Sequence, residues 1–134
     1  MIRNEYESQE IKVSDSVAAA CPDAQVRLEK VKARLVAMTE QYEKTVALME
    51  GKPEEYIDFQ ARKMCEMAAF IIEGYLLLLD SLRCEKFIDS AEVFSERAQA
   101  WNNERHFYIY NCNSETILST CKNVKSDLDI VYQD

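Results

Sequence analysis

One histidine, His106, and five cysteines, Cys21, Cys65, Cys84, Cys112 and Cys121, are the residues with which this chain could hold a metal or attack a substrate. Their spacing argues against both. A helical di-iron centre needs Glu-x-x-His on two helices and two further carboxylates, but the residue three before His106 is Asn103. Zinc needs clustered ligands, and the cysteines form no Cys-x-x-Cys pair. As a general base, His106 lacks a neighbouring carboxylate to orient it, since Arg105 and Phe107 flank it; a surface or stacking role is expected. Cys84 lies near Arg83 and Lys86, whose charge favours a thiolate, yet nothing beside it completes a nucleophilic site. With only Gly51 and Gly74 no Gly-rich phosphate cradle can form. Trp101, Phe107, Tyr108 and Tyr110 could stack a flat ligand, but aromatics at helical spacing serve core or interface. No catalytic residue, metal ligand or cofactor-binding residue is assigned.

The elements that carry these residues follow from composition and period. The 134 residues suit one domain with a single core. Two glycines and two prolines leave few tight turns, which favours long helices over a sheet. The net charge of −8, with 24 acidic residues against 16 basic ones, excludes nucleic acid or an anionic membrane as partner. Unpaired cysteine spacings fit reduced thiols and a cytoplasmic location. Cys65 falls in an apolar helical pattern, where it would act as a small hydrophobe. "MIRNEYESQEIK" has no apolar core of a signal peptide.

"MCEMAAFIIEGYLLLLD", residues 64 to 80, is the most apolar stretch. It is interrupted by Glu73 and falls short of the roughly 20 apolar residues that span a bilayer. It reads as a buried helix of a folded domain. Glu55, Arg62, Glu66, Ala69, Glu73 and Asp80 share one narrow strip of that helix, so Glu73 marks its solvent line. Met64, Ala68, Ile71, Tyr75, Leu78 and Leu82 form one apolar stripe, and Met67, Phe70, Gly74 and Leu77 another beside it.

A helix before it carries Leu28, Val31, Leu35, Met38, Tyr42, Thr45 and Met49 at alternating steps of three and four. Arg27, Lys30 and Arg34 would lie on its solvated side. Gly51 and Pro53 end this helix and open the next, so the two must pack antiparallel. A third helix repeats Phe87, Ala91, Phe94, Ala98, Trp101, Arg105 and Tyr108. The fold class expected is all-α, an antiparallel up-down bundle of three long helices plus a short C-terminal helix from Ser114 through Cys121, or a tail. Residues 1–16 read as a loose lead-in, 17–122 as the bundle and 123–134 as a tail. So apolar a middle helix leaves surface to cover, and Tyr75, Leu78, Leu79, Leu82, Trp101 and Tyr108 are the expected interface.

Residues 54–80, "EEYIDFQARKMCEMAAFIIEGYLLLLD", and 90–111, "SAEVFSERAQAWNNERHFYIYN", carry a family resemblance. The stretch near Tyr56, the run ending "GYLLLLD" and the "SAEVF" that follows resemble the C-terminal helical region of bacterial acyl-CoA dehydrogenases, notably the long Bacteroidetes forms. The likeness covers roughly residues 24–112. It implies an accessory domain or fragment of an FAD-dependent oxidoreductase whose flavin contacts and catalytic base lie elsewhere in the parent. Its partner would be the rest of that flavoenzyme or a second copy of the bundle, in a homo-oligomer. The alternative is a free-standing bundle that self-associates or binds a partner helix.

Overall fold

The computed structural model describes residues 11–111. Four α-helices follow in order: α1 (Asp15–Ala20), α2 (Ala24–Met49), α3 (Glu54–Ser81) and α4 (Ile88–Asn111), with a 3-10 turn over Glu85–Phe87 leading into α4. Each of the three long helices packs against the other two, closing a three-helix bundle. The fold is all-α with up-down-up order, as the periods require. The short C-terminal helix and the tail lie outside the described residues.

Local chemistry sets the turns. Gly51 has φ +80°, the left-handed region in which a side chain is strained, so it ends α2 at little cost. Pro53 stands at the N-cap of α3, and Glu54 and Glu55 follow in the first turn, against the positive end of the helix dipole. Two residues between Glu50 and Pro53 then suffice to reverse the chain.

The core stripe of α2 is buried as its period predicts: Leu28, Val31, Leu35, Met38, Thr45 and Met49. Gly74 permits the closest approach of α3 to it. A Cβ at Gly74 would stand 2.4 Å from the Leu35 Cδ2 atom, so the absence of a side chain there is a packing requirement.

The buried line of α4 differs from the expected one. Ile88, Ala91, Ser95, Ala98, Asn102 and Ile109 face the interior, whereas Phe94 and Tyr108 are half-buried and Trp101 is 39% exposed. Small residues, Ala91, Ser95 and Ala98, occupy the middle of the seam where α4 meets two helices at once, with Ile88 and Ile109 buried towards its ends, and the aromatics lean outward over its flanks. Asn102 locks this register by donating from Nδ2 to the Met67 carbonyl, 3.2 Å away on α3.

In the described part of the lead-in, residues 11–16, hydrogen bonds reach α2 and the end of α3. The Gln25 side chain donates to the Ile11 carbonyl (2.7 Å) and accepts from the Val13 amide (3.3 Å), and the Ser14 amide donates to the Leu82 carbonyl (3.0 Å). Ile11 and Val13 pack on the core beside Leu82. Val17 of α1 is fully buried. This strap ties the starts of α1 and α2 to the end of α3.

Candidate functional site

The helices bring polar residues together mainly at their crossings. Arg27 of α2 binds Asp89 at 2.5 Å and also pairs with Glu92, both on α4. Arg34 Nη1 donates to Ser95 Oγ at 3.1 Å. Read from sequence as a solvated face, Arg27 and Arg34 are interhelical clamps instead. Arg105, expected on the core stripe of α4, reaches Glu66 of α3 at 2.6 Å and lies over the Phe70 ring. Arg105 first, and Arg62 second, hold the Glu66 carboxyl below the usual carboxylate range.

His106 is half-buried against α2. Its Nδ1 lies 2.8 Å from Thr45 Oγ1, whose hydroxyl also stands 3.0 Å from the Gln41 carbonyl. With the Thr45 proton given to Gln41, His106 Nδ1–H donates and Nε2 is left without a proton. The Tyr110 ring lies against the imidazole at 4.2 Å between centroids. Burial first, then the Lys44 charge, push the imidazole pKa down. Bonded to the Thr45 hydroxyl and stacked on Tyr110, His106 is a structural contact between α2 and α4, in keeping with the stacking role expected for it.

Glu73 is exposed, on the solvent line of α3. Cys65 is also exposed, which corrects its reading as a buried small hydrophobe, and Cys84 is half-buried. Among the described residues, no three His, Cys, Asp or Glu side chains cluster as metal ligands.

The six expected interface residues do not form one surface. Tyr75 and Leu78 are 2% and 3% exposed and belong to the chain's own core, because α3 turns them towards α2 and α4. Leu79 and Leu82 line an open hollow with Lys12, Val13 and Arg83. Trp101 packs on Phe70, 5.1 Å between ring centroids, beside a shallow hollow of about 410 Å³ with Val93 and Arg97. Tyr108 lies under Lys63, 4.5 Å from its amine. The large apolar side chains that reach solvent most are Phe107, Val26, Leu76 and Val93. Leu76 stands in the same run as Leu77 and Leu78, but its angle on α3 turns it to a side left open to solvent.

No helix of the described residues is long and apolar enough to cross a membrane. The described residues also do not fit a flavin dinucleotide. Their hollows are open grooves, and the three long helices begin at acidic residues, Asp23, Glu54 with Glu55, and Asp89, where a pyrophosphate would need positive ends free of carboxylates.

The profile of the family described as acyl-CoA dehydrogenase C terminal matches residues 4–117, which is most of the chain. The chain belongs to that family. Among solved structures, an acyl-CoA dehydrogenase family protein from Porphyromonas gingivalis is similar at 33% identity with a TM-score of 0.65. One alignment covers 81% of this chain and 84% of that one, so the two chains are of nearly equal length. No curated protein matches. As a member of the acyl-CoA dehydrogenase C-terminal family, the bundle is the helical region that the resemblance over residues 54–80 and 90–111 implies.

Proposed function

We propose that this bundle is an accessory assembly domain of an FAD-dependent acyl-CoA dehydrogenase, with the catalytic carboxylate and flavin contacts supplied by other parts of the parent enzyme. The family match over residues 4–117 carries this reading. The lack of fit to a dinucleotide and the use of His106, Glu66 and Arg105 in helix crossings support it. The domain then works by packing, holding the parent in an oligomer, and the cysteine usage suits the cytoplasm.

Antibody raised to this chain tests the reading on the native polypeptide of the source cells. The expected band lies far above 15.5 kDa, and the polypeptide carries bound flavin when purified. A band at 15.5 kDa would replace this reading with a second one, a free-standing bundle that self-associates.

A further inference from the structure

We propose that α3 pairs antiparallel with α3 of a second copy of this chain, through the face it turns away from α4. This gives the assembly role proposed above its partner. At about 100° per residue, Ala61, Cys65, Ala68, Ile72 and Leu76 line one side of α3, roughly opposite Phe70 and Met67, which meet α4. Cys65 and Leu76 are exposed, Leu76 by 51%, and Ala61, Ala68 and Ile72 are half-buried.

Size and charge along this face select the occupant and its direction. Its first half is small (Ala61, Cys65, Ala68) and its second half large (Ile72, Leu76, Leu79). An antiparallel pair with its two-fold axis between Ala68 and Ala69 sets Ala61 against Leu76 and Cys65 against Ile72. Small then meets large in these two layers on either side of the axis, and two alanines, Ala68 and Ala69, meet at the axis itself, so the helices can approach closely there. A parallel pair would stack Leu76 on Leu76 and leave Ala61 facing Ala61 across a gap.

The charges agree. The face begins with Glu54 and Asp58 and ends at Arg83, with Lys12 beside it in the hollow that Leu79 and Leu82 line. Antiparallel pairing brings Glu54 and Asp58 of each copy to the Lys12 and Arg83 end of the other. Within one chain Arg83 is already held by Asp80 at 3.3 Å, and Asp15 lines the same hollow, so the end is mixed rather than purely basic. On the flank, exposed Arg62 comes within half a turn of the partner's exposed Glu73, whereas parallel pairing puts the two Glu73 side chains on opposite flanks and forms no such pair. Arg62 would exchange its exposed bond to Glu66 for this contact.

One helix pair buries less than the about 800 Å² per partner of a standard interface, so the dimer belongs to the micromolar range. Sedimentation equilibrium of the 134-residue chain from micromolar to several hundred micromolar is the test. The expected result is a monomer–dimer equilibrium whose Kd rises at least about tenfold in Leu76→Glu. Glu73→Arg should weaken it, and Arg62→Glu added to Glu73→Arg should restore it. Oxidised Ile72→Cys should cross-link Cys65 of one copy to position 72 of the other, located by peptide mass mapping. A chain monomeric throughout, a dimer indifferent to Leu76→Glu, or a Cys65–Cys65 cross-link in the unmodified chain would overturn the proposal. Thermal melting of each variant by circular dichroism separates lost pairing from lost folding; were Leu76→Glu to unfold the chain, Cys65→Arg, at an exposed position of the same face, takes its place. A monomer would leave the dehydrogenase reading standing, because that reading is decided by the size and flavin content of the native polypeptide.

Discussion

Gly74 and His106 show how single residues are fixed by what lies across from them. Gly74→Ala gains up to about 1 kcal/mol of helix propensity. It also drives a methyl into buried Leu35, and overpacking of this kind costs about 1–3 kcal/mol. A net loss near 1 kcal/mol is expected from urea unfolding. Leu35→Ala alone should cost about 2–5 kcal/mol, and in that background Gly74→Ala should become stabilising. At His106, burial and then Lys44 lower the folded-state pKa beneath its unfolded value of about 6.5. The unfolded chain therefore binds the proton more readily. Its contribution to stability is complete above about pH 6.5 and is lost as pH falls from there towards the folded pKa. Replacing His106 by Gln should flatten the stability profile in that window, as unfolding midpoints at stepped pH would show.

At the scale of elements, the strap and the three crossings keep the helices in register. Gln25 holds residues 11–13 through two backbone bonds. Gln25→Ala should cost about 1 kcal/mol, the net worth of a typical hydrogen bond. It should also raise hydrogen exchange at the Val13 amide while leaving the α2–α3 core protected. Equal exchange at Val13 in both proteins would mean that Ser14 to Leu82 alone anchors the strap. The α2 stripe was legible because its large residues fall at regular steps of three and four. The α4 seam is legible at Ala91 and Ala98 but not at its other positions, because Phe94, Trp101 and Tyr108 also repeat at four and three. Their bulk suits the flanks, where Trp101 covers Phe70 and Tyr108 meets Lys63, while the crowded centre admits only Ala91, Ser95 and Ala98.

For the whole molecule, the family assignment and the physical character of the surface point the same way. Among the described residues, Arg27, Glu66, Glu92 and Arg105 join helices and the long helices start at acidic residues, a character that does not suit a dinucleotide. Titrating the purified chain with FAD should leave flavin fluorescence unquenched and the protein colourless after dialysis. Stoichiometric retention of flavin would overturn the accessory-domain reading.

The sequence by itself determined the three long helices, their antiparallel order and the family, but not the short helix Asp15–Ala20. Periods of three and four, the Gly51–Pro53 turn and the residues of "GYLLLLD" and "SAEVF" are local properties and need no partner to be read. Tertiary structure alone decided which way each face turned. A helical wheel gives a residue's angle but not the neighbour that stands there. So Tyr75 and Leu78 went to the core and Leu76 to solvent, although all three are large and apolar within four positions. Pairs such as Arg27 with Glu92 and Glu66 with Arg105 join residues 65 and 39 positions apart, and only the packing of α4 against its two neighbours brings them together.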